Sequence, residues 1–161
     1  MRFAQQGALL AGQVPGVELG RLATAVNEVL GDVVATLHFA IDENGLRLVT
    51  GEVAAEVRLT CQRCLGGLTI PLSAMVSLAF IHSDSDAKTL PKHIDPWLIS
   101  ADQSEIDLYE VLEEELLLCL PIVASHSHEC VDKQLYSRGE VAPDSGKNPF
   151  QVLAALKVSK P

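Results

Sequence analysis

The chain has 161 residues, 48% of them hydrophobic and 20% charged, with 12 basic against 21 acidic side chains for a net charge of −9. That length and balance suit a soluble globular domain with a core of its own and exclude a disordered polyelectrolyte. No run approaches the roughly 20 apolar residues of a membrane span, and the apolar patch at 8–11 is too short for a signal-peptide core of about 7–15 residues. A cytoplasmic protein is therefore expected, with cysteines present as reduced thiols or metal ligands.

Residues 1–16 carry Gly7, Gly12, Pro15 and Gly16 and read as an extended or irregular lead-in. From Val17 to Leu30, the apolar Leu19, Leu22, Ala23, Val26, Val29 and Leu30 have helical spacing, and Gly31 stops the pattern. Val33 to Ile41 alternates as a strand, and Asp42-Glu43-Asn44-Gly45 then supplies the Asn-Gly signal of a hairpin. The return strand changes phase: Leu46 and Leu48 are even-numbered, whereas Val53, Ala55, Val57 and Leu59 are odd. Only an inserted residue shifts a period-two strand in this way, so a bulge or bend is predicted at Gly51.

Cys61-Gln62-Arg63-Cys64 follows, and Gly66-Gly67 makes a turn. Leu68, Ile70, Leu72, Ala74, Val76, Leu78 and Phe80 then hold seven successive even positions of a strand. Pro71 predicts an edge or a kink within it. The C-x-x-C knuckle thus sits at the tip of two antiparallel strands, a zinc-ribbon-like setting. Residues 81–104 read as a polar, acidic loop with one short strand near 97–100. Asp107 opens a helix with Leu108, Val111, Leu112 and Leu116 on one face and Glu110, Glu113 and Glu114 opposite, and Pro121 ends it. Residues 137–147 have the composition of a flexible linker, and Asn148-Pro149 starts a short helix that either docks on the core or fits a partner's groove.

The expected fold is α+β: a single domain over residues 1–136, built as an antiparallel β-meander with the C-x-x-C knuckle and packed by two or three helices. The linker and short C-terminal helix occupy 137–161.

Structural zinc takes four sulfur or nitrogen ligands, often as two close pairs. Cys61 and Cys64 make one pair. His126-x-x-x-Cys130 has acceptable spacing for the other, and His128-x-Cys130 is tighter. The predicted metal ligands are Cys61, Cys64, His126 and Cys130. Thioredoxin-type redox work is not favoured, because strands rather than a helix flank the pair. Cys119 falls on an apolar helix face as a core residue, and His38, His82 and His93 are isolated. Glu113-Glu114-Glu115 meets no nucleophile or phosphate loop in the sequence and reads as a solvated face, so no catalytic residue is assigned.

Between His82 and Leu118, ten acids stand against Lys88 and Lys92. Nucleic-acid binding rests on Lys and Arg clusters, which this chain lacks, so a basic protein partner suits it better than bare RNA. The same acids also suit a solvated linker and helix face.

Taken in order, these motifs resemble the bacterial YceD family, the large ribosomal RNA subunit accumulation proteins. The residues that carry the resemblance are Cys61-Gln62-Arg63-Cys64-Leu65, Ile106-Asp107-Leu108 leading to Glu113-Glu114-Glu115-Leu116-Leu117-Leu118-Cys119-Leu120-Pro121, His126, Cys130, Asn148-Pro149-Phe150 and Val152 to Lys157. The resemblance spans nearly the whole chain. It implies a non-enzymatic part in accumulation of the large-subunit ribosomal RNA, and a ribosomal protein or rRNA-processing factor as partner. The alternative expectation is a small metal-binding adaptor for a non-ribosomal protein.

Overall fold

The turn at Asp42 sets the centre of the sheet. Its Oδ1 accepts N–H bonds from Asn44 at 2.9 Å and Leu46 at 2.7 Å, and Gly45 takes φ 81°, a conformation open to glycine at no steric cost. The turn joins β2 (Glu28–Ile41) to β3 (Arg47–Thr60), paired antiparallel from Ile41↔Arg47. In this computed structural model, residues 2–100 and 105–132 are described. The predicted linker at 137–147 and helix at 148–156 lie outside them.

A second hairpin links β3 to β4 (Gly67–Ile81), in unbroken register from Arg47↔Phe80 to Thr60↔Gly67. β1 (Leu9–Pro15) pairs antiparallel with β2, and β5 (Asp95–Leu98) runs parallel to β4, giving the order β1-β2-β3-β4-β5. The short helix α3 (Asp84–Ala87) lies in the connection that the parallel pairing requires. β5 pairs only with Leu78–Ile81, so Pro71 falls on the open stretch of β4, where a missing N–H costs no ladder bond.

The even-numbered side chains of β4 and the odd-numbered ones of β3 are buried on a single face. Val49, Val53 and Val57 have no exposed surface, while Thr50, Glu52, Glu56, Ser73 and Met75 face solvent. Such a half-buried antiparallel sheet gives alternating sequence. α4 (Leu108–Leu118) covers the apolar face with Val111, Leu112 and Leu116, and Asp107 caps it by accepting the Tyr109 N–H at 2.9 Å. At the other end α1 (Arg2–Gln6) packs on β2, with the Phe3 and Phe39 rings 5.6 Å apart.

Several expectations need correction. The helix expected over 17–30 reduces to a 3₁₀ turn (Gly16–Glu18) and α2 (Gly20–Ala25), and Val29 and Leu30 belong to β2. Leu19, Leu22 and Val26 are buried as the spacing requires, but the backbone from Asn27 onward is captured by β3, Asn27 N–H bonding Arg58 O at 2.9 Å. Sheet pairing overrides a local helical pattern here. The lead-in is ordered as α1 and β1, and the short strand lies at Asp95–Leu98 rather than 97–100.

Gly51 carries no bulge: Leu37, Gly51 and Val76 stand in register. The irregularity lies across the ladder in β2, between Leu30 and Val34, around Gly31 at φ 73°. Gly51 instead meets a close approach of backbone. A Cβ there would stand 2.0 Å from Thr36 O.

Glu113, expected in solvent, is buried. Its Oε1 accepts the N–H groups of Arg21 at 2.7 Å and Leu22 at 3.3 Å. It thereby serves the first turn of α2, whose own N-cap, Leu19, has no side-chain acceptor.

Candidate metal centre

The β3–β4 hairpin closes on the knuckle. Cys61 N–H bonds Gly66 O at 2.8 Å and Leu65 N–H bonds Cys61 O at 2.9 Å. The turn is completed by Leu65 in a left-handed conformation, φ 60°. Cys61 is fully buried and Cys64 half-buried.

The chain beyond α4 returns to this tip. Gln62 N–H bonds Ala124 O at 2.8 Å, and the Arg63 guanidinium donates through Nη2 to the carbonyls of His126 and His128, the latter at 2.8 Å. These contacts bring together two parts of the chain that lie more than 60 residues apart. Arg63 is the positioning residue that the sequence did not announce. Its only signal was a long cation between two cysteines, which cannot be buried with them.

His126 is held at both nitrogens. Nε2 lies 3.2 Å from Gly67 O and Nδ1 lies 3.5 Å from Cys64 Sγ. A carbonyl can only accept, so Nε2 carries a proton, and in the neutral ring the Nδ1 lone pair faces the sulfur. Metal-binding imidazoles are oriented in this way, the second nitrogen donating to a backbone carbonyl. His128 is exposed, its ring tilted by 38° against that of His126 with centroids 4.9 Å apart. Cys130 is half-buried. The donor atoms of Cys61, Cys64 and His126 lie within 4.8 Å of one another.

The Cys61 thiol is lowered from its ordinary 9.0 to about 5. The Cys64 backbone N–H is the main cause, working against burial, and the N–H groups of Arg63 and His126 and the Cys64 side chain add to it. Hydrogen bonds to the anion thus outweigh desolvation and keep Cys61 a thiolate, the form that binds metal.

The other residues considered lie elsewhere. Cys119 packs against the core and its sulfur donates to Ser73 O at 3.4 Å. His82 Nδ1 is 3.3 Å from Ile99 O, and His38 and His93 are exposed. No helix among the described residues is long and apolar enough to cross a membrane.

Residues 49–157 match the family model described as Large ribosomal RNA subunit accumulation protein YceD. A relative from Haemophilus influenzae, named Large ribosomal RNA subunit accumulation protein YceD, is 35% identical over 98% of this chain and 92% of its own length. No solved structure matches the chain with significance. On the family match over residues 49–157 and on 35% identity along nearly the whole chain, the chain belongs to the YceD family.

Proposed function

We propose that this protein is a non-enzymatic factor that supports accumulation of the large-subunit ribosomal RNA in the cytoplasm, and that Cys61, Cys64, His126 and Cys130 hold a structural zinc ion. The first part rests on the name of the Haemophilus relative, which is similar along nearly the whole chain. The second rests on the Cys64–His126 approach. A tetrahedral zinc with sulfur at about 2.3 Å and nitrogen at about 2.0 Å sets an S···N edge of about 3.5 Å, and the observed separation is 3.5 Å.

Three sulfurs and one imidazole nitrogen suit zinc in preference to magnesium or calcium, which take oxygen. Four protein donors leave no position for a substrate, as in structural sites. Bound there, zinc would lock the returning loop onto the hairpin tip and stiffen a contact that Arg63 and Gln62 already make. Assembly would then run through a ribosomal protein or an rRNA-processing factor. Direct RNA binding is disfavoured by a net charge of −9.

Two measurements test the reading. Native mass spectrometry of protein purified without chelator should give one zinc per chain, and Cys64→Ser should give none. Depletion in the host should leave a deficit of large ribosomal subunits at a normal level of small ones. A metal-free wild type defeats the zinc assignment, and an unchanged subunit profile defeats the assembly role.

A further inference from the structure

Beside the open edge of the sheet, β5 and α4 form the two walls of a groove of about 370 Å³. One wall is Asp95 to Leu98. The other is the ridge of α4 that carries Glu110, Glu114 and Leu118 at helical spacing, with Glu115 beside it. Its apolar surface is largely uncovered: Leu98 is 57% exposed and Leu118 76%, and Trp97, half-buried, packs against the core. Every charged group lining the groove is acidic.

Arg21 engages Glu114 at 2.7 Å. No cation among the described residues partners Asp95, Glu110 or Glu115. Burial, and after it the charges of Asp95 and Glu114, push the Glu115 carboxyl upward. β5 is the last strand of the sheet, and its outer edge is unpaired among the described residues, so its backbone can accept another extended chain. An exposed apolar strip ringed by like charge is a recognition surface for something apolar and oppositely charged.

We propose that this groove docks a cationic segment of a protein partner, an extended stretch in which Lys or Arg alternates with an apolar residue. The aliphatic stem of such a cation would lie along Leu118 and Leu98, with its head over the Trp97 indole and within reach of Asp95 and Glu115. The apolar neighbour fills the remaining space. The same potential repels RNA phosphates, so nucleic acid is the wrong occupant. The partner's source rests on the function proposed above, since proteins that bind ribosomal RNA are rich in such segments.

Trp97 is the chain's single tryptophan, so its fluorescence reads this groove directly. The experiment titrates the full chain with a synthetic peptide of alternating Arg and Leu, with a Glu-for-Arg peptide and poly-uridylate as controls. The Arg peptide should give a saturable change in emission that weakens as salt rises. Glu110→Gln/Glu115→Gln should weaken it at least about tenfold, equivalent to about 1.4 kcal/mol. Glu52→Gln/Glu56→Gln on the solvent face of the sheet should leave it within about twofold, because that pair does not line the groove.

No saturable change, equal weakening by both glutamate pairs, or tighter binding of poly-uridylate would each overturn the proposal. If peptide binding holds while host depletion leaves the subunit profile unchanged, the groove stands and the assembly role falls. If the profile changes and no peptide binds, the groove falls alone.

Discussion

Cys64 and His126 stand 62 residues apart in sequence and 3.5 Å apart in the fold, sulfur to Nδ1. The ring's other nitrogen is committed to Gly67 O, so the neutral His126 ring presents a lone pair to Cys64, whereas His128 is exposed. His126→Ala is therefore expected to weaken zinc binding by at least about a hundredfold, and His128→Ala by less than about tenfold. Competition with a chromophoric chelator measures both. Equal losses would move the ligand assignment away from His126.

In the metal-free protein, Cys61 is expected to titrate near 5 instead of its ordinary 9.0. Thiolate ultraviolet absorbance of wild type and Cys61→Ser, recorded against pH, isolates that step. A folded-state pKa below the unfolded one means that the stabilisation is complete above the unfolded value and is lost as pH falls through about 5. Metal-free wild type should thus lose its stability advantage over Cys61→Ser on acidification between those limits. A midpoint near the ordinary value would show that the surrounding N–H groups do not hold the anion.

Glu113 reaches from α4 to the first turn of α2. Glu113→Ala removes the acceptor for two N–H groups, one of them buried, at an expected cost of about 1–2 kcal/mol. Glu110→Ala, on the exposed side, should cost under about 0.5 kcal/mol. Chemical denaturation of the two variants decides it. Equal midpoints would mean that the buried carboxylate does not cap α2.

At Gly51 any side chain meets the Thr36 carbonyl. The residue also takes φ 153°, where L residues are strained. Gly51→Ala is expected to destabilise by about 3 kcal/mol or more. Gly12→Ala, with nothing within 4 Å of its added Cβ, should fold normally. A thermal melt of each checks the contrast, and a stable Gly51→Ala would require β2 and β3 to move apart.

What could be read from the sequence was local. Asn44-Gly45 marked its hairpin because the turn's needs are met within four residues, and the even positions from Leu68 to Phe80 marked β4 because burial on one face has a period of two. The C-x-x-C pair was visible for the same reason. The place of His126 was not, because its ring nitrogens meet Gly67 O and Cys64 Sγ, supplied by a distant hairpin. Glu113 was equally hidden. On a helical wheel it belongs with the acids, and only a helix about 90 residues earlier gives it a buried partner. Val29 and Leu30 fitted a helix until β3 offered their backbone a ladder. Gly51 was noticed for a phase change, but its constraint is the approach of a neighbouring strand.

The most direct test of the account is the ratio of large- to small-subunit ribosomal RNA in the native host, depleted of this protein and then supplied with wild type or Cys64→Ser. The account expects a selective fall in the large-subunit RNA on depletion, full rescue by wild type, and poor rescue by Cys64→Ser at equal protein level. An unchanged ratio on depletion would contradict the assembly role. Full rescue by Cys64→Ser would separate that role from the knuckle.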